Sequence, residues 1–256
     1  MLDKSVFVNS SILEDTFFNS IFNTSFGLPI IANSILLGFV LYYCFKLMLS
    51  PFSGTAIEKP YQFLAKLLII IICINFSPFI CKKILEINSL FTEALQELGS
   101  SICKQEISFN NLISKSAYVN TNDSFNIFSF NGLLKSFYSF GLINLLFSYS
   151  IRYIMIKIFI LLSPFAILSL ITVSTSWFFK SWLRTLLSLL FVQIFIVIIL
   201  ILLFALNLKT SDLFSQISYI STIFILTKAN SYIKELIGGI STDINTNFKN
   251  LKSLLK

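Results

Sequence analysis

The stretch Arg152–Arg184, RYIMIKIFILLSPFAILSLITVSTSWFFKSWLR, together with the apolar run that follows it to Leu208, decides how this chain folds. Arg152 and Lys157 interrupt an apolar segment that reaches back to Phe137 and ends at Ser163-Pro164. An uncharged segment follows, then Trp177, Lys180, Trp182 and Arg184, and then Thr185 to Leu208 without a single charge. About 20 apolar residues at roughly 1.5 Å each cross the hydrocarbon core of a bilayer, so this run predicts a transmembrane helix. Trp rings and the heads of Lys and Arg settle at the lipid–water boundary. The cluster before the run therefore predicts an interfacial anchor.

Composition places the remainder of the chain in the same solvent. Only 12% of the 256 residues are charged, 55% are hydrophobic, and the mean hydropathy is +0.83. Soluble domains hold about 25% charged residues, so this is one polytopic membrane domain, all-α, with no room for a separate soluble one. No secretory signal peptide is expected, because Met1-Leu-Asp-Lys opens a polar, net acidic segment and the first apolar run begins near Phe26.

Outward from the deciding stretch, residues 1–26 form an outer N-terminal segment. Leu13, Phe17, Ile21 and Phe22 recur near helical spacing after a capping-box-like Ser11–Glu14, predicting an amphipathic helix on the membrane surface. Residues 27–81 hold two spans, Gly27 to Leu49 and Gln62 to Phe79, closed by Ser50-Pro51 and Ser77-Pro78. Ser-Pro-Phe recurs at 50–52, 77–79 and 163–165, which is Pro ending or kinking helices rather than a repeat. Residues 82–131 are an outer polar loop. Its first half, Ile84 to Leu98, has the spacing of an amphipathic helix stopped by Gly99, and its second half is rich in Asn and Ser. Residues 132–228 carry the remaining membrane helices, the last of them short, over Leu213 to Thr227. Residues 229–256 form a basic amphipathic tail for anionic cytoplasmic lipid or a partner.

Charge placement sets the number of spans. Residues 132–173 read either as two short helices, giving six spans, or as one long helix broken at Pro164 into an interfacial or re-entrant segment, giving five. With five, the acidic N-terminus and the loop 82–131 lie outside. Lys46, Lys59, Lys66, Arg152, Lys157, Lys180, Arg184, Lys228 and the tail lysines then all lie inside, as Lys and Arg near short loops prefer. About five spans plus interfacial amphipathic helices is the expected architecture.

Little catalytic chemistry is offered. The chain has no His, which removes imidazole relays, Ser-His-Asp triads and His-based metal sites. The four cysteines, Cys44, Cys73, Cys81 and Cys103, show no CxxC spacing, and Cys103 alone is expected on the outer side. No phosphate-binding GxxxxGK[ST] loop occurs. No enzyme activity, cofactor or metal is expected, and without an acid at the centre of any span an ion-coupled carrier is disfavoured.

The polar residues inside spans are the candidates. Arg152 and Lys157 lie about 140° apart round a helix of 3.6 residues per turn. Each either snorkels to the cytoplasmic face or lines an interhelical seam or substrate path. Gln193, alone in its charge-free span, is an interhelical hydrogen-bonding group or a pore-lining one. Trp177, Lys180, Trp182 and Arg184 are an interfacial belt or a docking face for a cytoplasmic partner.

The order of these features resembles a known family. An outside N-terminus, two spans, a central outer loop and a cationic helix ending in Ser-Pro-Phe-Ala (163–166) are followed by Phe179-Lys-Ser-Trp182, Leu183, a Gln-bearing span and a Lys-rich tail. This is similar to the TrbL-like polytopic inner-membrane subunits of type IV secretion and conjugation systems, in residues over about 150–205 and in topology over most of the chain. The resemblance implies a non-enzymatic subunit of a DNA or protein translocation channel in the bacterial plasma membrane. It also implies assembly with other membrane subunits and cytoplasmic ATPases, and a homo-oligomer is compatible with it. A small-molecule permease component, or a holin-like or scaffold protein, are the alternatives the residues leave.

Overall fold

Lipid supplies no water to satisfy a bare backbone, so a chain of this composition closes its hydrogen bonds within helices. The computed structural model describes residues 6–14, 16–23, 27–53, 58–116, 130–206 and 213–237, and among them there is no strand. After a 3-10 turn at Ser10–Glu14 come α1 (Thr16–Asn23), α2 (Leu28–Ser53), α3 (Pro60–Asn75), α4 (Ser77–Cys103) and α5 (Phe109–Ser116). Then follow α6 (Phe130–Leu161), α7 (Ser163–Leu168), a 3-10 turn at Ser169–Ile171, α8 (Ser176–Ala205) and α9 (Leu213–Ile237). The Asn-rich half of the central loop beyond Ser116 and the basic tail beyond Ile237 lie outside the described residues.

Three helices are long and apolar enough to cross a membrane: Leu28–Phe52, Gly132–Leu161 and Ser176–Ala205. A fourth crossing is possible if α3 and α4, bent by 64°, are taken as one span. Length and composition thus give three or four crossings where charge placement gave about five. The missing candidate is α9, which spans 25 residues but dilutes its apolar ones with Ser215, Gln216, Ser218, Thr222, Lys228 and Asn230.

Two of the three Ser-Pro pairs start helices rather than closing them, while Ser50-Pro51 lies in the last turn of α2. Ser77 and Ser163 are the first residues of α4 and α7, each after a single turn residue, Phe76 and Leu162. Pro lacks an N–H and fits the first helical turn, where that donor would be unsatisfied anyway. One long α6 runs through residues 130–161, so two short helices do not form there.

Residues 82–103 are helical, as the spacing of Ile84–Leu98 predicts, and the correction concerns the stop at Gly99. They continue α4, and Gly99 does not stop it; the helix ends at Cys103, followed by Lys104 with φ 53°. The buried positions of α4 are Ser77, Cys81, Leu85, Asn88, Thr92 and Gly99, at coiled-coil-like spacing, while Ile87, Leu90, Phe91 and Leu98 are exposed. Lys83, Glu93 and Glu97 are exposed beside them, so the outer face of α4 mixes large apolar and charged groups.

The chain divides into two compact units. The first comprises the described parts of Met1–Asn9, Glu86–Ile156 and Thr185–Lys256, and its core joins Tyr138 and Leu145 of α6 to Val192 and Ile196 of α8 and Ile223 and Leu226 of α9. Within it, Asn88 and Gly99 of α4 meet Gln193 and Ile201 of α8, so these two helices run in the same direction. Gly141 and Ser148 of α6 likewise meet Ile223 and Asn230 of α9, so those two are also parallel. The second unit comprises the described parts of Ser10–Leu85 and Lys157–Arg184. Its core packs Ala32 and Leu36 of α2 and Phe63, Ile70 and Ile74 of α3 around Ile167 of the α7 segment.

Candidate functional site

Arg152 sits at the centre of the first unit. It is fully buried, with 0% of its surface exposed. Its Nε donates to the Leu189 carbonyl at 2.8 Å, and Nη1 donates to the Val6 carbonyl at 3.0 Å. Nη2 is buried with no hydrogen-bond partner, and no carboxylate lies within ion-pairing distance of this side chain among the described residues. The guanidinium is enclosed by protein and bonded to backbone carbonyls from two directions. A guanidinium stays charged under physiological conditions, and burying one without a counter-ion is costly. Residues kept at such a cost inside a membrane protein mark functional sites.

Gln193 completes the arrangement one helical turn beyond Leu189. Its Oε1 accepts from the backbone N–H of Val8 at 3.1 Å and from Asn88 Nδ2 at 3.3 Å. Arg152 and Gln193, singled out separately in the sequence, are therefore brought together on one short segment, the first taking its carbonyl at Val6 and the second its N–H at Val8. That segment is deep in the unit: Val6 and Val8 are buried, and Phe7 lies against Phe109 with ring centroids 6.2 Å apart. Residues 7–9 are not helical, and irregular backbone within a membrane protein is tolerated where protein surrounds it. Val6 and Val8 are thus buried in the unit rather than part of a surface helix.

A polar seam continues from this cluster towards α9. Tyr149, beside Arg152 on α6, donates its hydroxyl to the Leu226 carbonyl at 2.8 Å, and Asn230 Nδ2 donates to Ser148 Oγ at 3.1 Å. On the α4 side, Thr92 returns its hydroxyl to the carbonyl of Asn88 at 2.8 Å. Cys103, expected to face outwards, is half-buried with Sγ 3.8 Å from the Ile201 carbonyl.

The remaining candidates belong to the second unit. Lys157 is half-buried, its Nζ 5.6 Å from the centre of the Phe18 ring on α1. Trp177, Lys180 and Arg184 are exposed on the first turns of α8, as a belt or docking face requires. Trp182 departs from them. It is buried, and its indole N–H donates to the carbonyl of Phe159 at 2.8 Å, in the last turn of α6. The chain between them is fastened by hydroxyls: Thr175 Oγ1 bonds the Ser169 carbonyl at 2.6 Å, and Ser169 Oγ accepts from the Phe179 N–H at 3.1 Å. This small lattice holds the buried α7 turn where Pro164 has broken the helix.

Asn88 and the backbone at Val6 and Val8 escaped the sequence reading. Asn88 had a signal, since it shares the spacing of Cys81, Leu85 and Thr92. Val6 and Val8 had none, because main-chain groups carry no residue signature. Among the described residues no group of three or more His, Cys, Asp or Glu could hold a metal. Set against models of protein families, curated proteins and solved structures, the chain matches none.

Proposed function

We propose that this chain is a non-enzymatic integral membrane subunit of a type IV secretion or conjugative-transfer channel. It crosses the bacterial plasma membrane five times, with its N-terminus outside and its C-terminus in the cytoplasm. The observation that carries a channel role is the buried cluster of Arg152, Gln193 and Asn88, contributed by three helices. Such groups mark paths or contacts rather than packing. The secretion system itself is favoured by the sequence order alone, from the cationic helix ending in Ser163-Pro164 to the Gln193 span.

Support for five crossings comes from two features. The joined α3 and α4 can act as one bent crossing. The parallel course of α9 beside the membrane-length α6 over Gly141–Ser148 supports counting it as a further crossing. Lys46, Lys59, Lys66, Arg152, Lys157, Lys180, Arg184, Lys228 and the tail lysines then fall on the cytoplasmic side. Partners in this reading are other channel subunits, cytoplasmic ATPases, a second copy of the chain, and DNA or protein in transit.

A permease component is the second reading, favoured by one observation: Arg152 Nη2 has a hydrogen bond to give and is buried, which is what an anion site offers. One pair of measurements separates the two. Mild-detergent purification from cells carrying a transfer system should retain a transfer ATPase, and thiol labelling should reach Ser101→Cys from outside but Lys180→Cys and Lys234→Cys from inside only. Recovery of the chain alone, with Lys234→Cys labelled from outside, would remove the secretion reading.

A further inference from the structure

We propose that Arg152 and Gln193 form a receptor for polypeptide main chain, and that residues 6–9 occupy it as a tethered plug that can be displaced. On residues 6–9 the bonds of these two side chains go to backbone: the carbonyl of Val6 and the N–H two residues on, at Val8. Nothing in that pair of bonds selects a sequence. Around those bonds Val6 and Val8 are buried and Phe7 lies against Phe109. A terminus that merely filled a gap would be held as well by apolar neighbours, since replacing buried charge with apolar residues is often neutral or stabilising. Here three helices each commit a buried polar residue to that place.

The site is also incompletely used by its present occupant. Nη2 of Arg152 is buried and has no acceptor. A competing segment that offered an acidic group there, along with the same carbonyl and N–H, would make one more charge-assisted bond than residues 6–9 make. The receptor therefore suits extended or irregular polypeptide, with acidic segments the better competitors. Its occupancy by the chain's own N-terminus is a resting state. That displacement opens a path rests on the channel reading; the docking does not.

The test uses the full chain in proteoliposomes, with Cys44, Cys73 and Cys103 replaced by Ser and the buried Cys81 kept as a fold reference. A membrane-impermeant maleimide should label Val8→Cys roughly tenfold more slowly than the exposed Asn9→Cys, because a buried thiol reacts only on local opening. Adding Arg152→Gln should abolish that difference while Cys81 stays unlabelled. A second route avoids the buried charge: Val8→Pro removes the N–H that Gln193 accepts, and should expose Val6→Cys. Equal labelling at positions 8 and 9 in the parent would overturn the docking. So would continued protection in both Arg152→Gln and Val8→Pro. Deleting residues 6–9 should raise leakage of a small anion such as iodide. Released labelling without leakage would leave the receptor standing and remove the channel consequence.

Discussion

The indole N–H of Trp182 is bonded to the carbonyl of Phe159 across the turn at Ser163-Pro164, 2.8 Å between donor and acceptor. Pro164 cannot donate to the carbonyl four residues before it, so α6 ends with unsatisfied acceptors nearby. Trp182 is one of only two tryptophans, and it is 4% exposed where Trp177 is 65% exposed.

Fluorescence therefore reports on each ring separately. Trp177→Phe should leave a blue-shifted emission that iodide and brominated lipid quench weakly. Trp182→Phe should leave one that both surface quenchers reach. The second substitution should also lower stability by about 1 kcal/mol, the usual worth of one lost hydrogen bond, in denaturant titrations in detergent. Equal quenching of both variants would show that Trp182 is a belt residue after all.

Glycines 38 and 99 should respond in opposite directions. A Cβ at Gly38 meets nothing within 4 Å, so Gly38→Ala should stabilise by about 0.5–1 kcal/mol through the unfolded chain's lost freedom. A Cβ at Gly99 would lie 2.5 Å from Cγ1 of Ile201 on α8. Gly99→Leu should therefore cost about 1–3 kcal/mol, as overpacking does, and shift the thermal unfolding midpoint down. A Gly99→Leu midpoint at or above that of Gly38→Ala would mean that α4 and α8 do not approach as described.

These two glycines show what a sequence can and cannot reveal here. Gly99 looks like a helix stop because Gly favours helix ends; that it permits close approach depends on Ile201, about a hundred positions away. Likewise Arg152 and Lys157 are equivalent in composition and context, yet one is buried and the other lies beside Phe18. Which face of α6 becomes a seam is set by neighbouring helices, and in an apolar chain both faces look alike. The helices themselves, the long α6 and the break at Pro164 were legible, because apolar length and Pro act locally. The membrane count was less so, since α4 and α9 carry charged and polar groups among their apolar residues and depend on packing for their depth.

Glu58 and Lys66 approach to 3.9 Å, with 48% and 31% of their side chains exposed. Glu58→Gln should change stability by less than about 1 kcal/mol, because exposed pairs are weak. The same residue's carbonyl, however, accepts from the Tyr43 hydroxyl at 2.6 Å, and the Tyr43 ring stacks on Phe63 at 3.8 Å. Tyr43→Phe keeps the stack and loses the bond, so it should cost about 1 kcal/mol. Tyr43→Ala removes both and should cost clearly more. A larger loss from Glu58→Gln than from Tyr43→Ala in the same unfolding assay would place the ion pair, not the ring, at the centre of that contact.

Gln193 has two partners that differ in what they lose without it. Asn88 can turn its amide elsewhere, whereas the N–H of Val8 is fixed in the backbone and buried. Gln193→Leu should therefore cost about 1–3 kcal/mol, the range for a buried group left unsatisfied. Asn88→Ala should cost less, since Gln193 keeps its bond to Val8. In the double variant the two losses should fall short of additive by at least about 0.5 kcal/mol, as expected for groups in one network. Gln193→Glu sharpens the test: a carboxylate near the Arg152 guanidinium would gain a counter-ion, and stability should recover relative to Gln193→Leu. Strict additivity, with Gln193→Glu no better than Gln193→Leu, would mean that Arg152 and Gln193 act apart, and that the segment at Val6–Val8 is held by its apolar side chains alone.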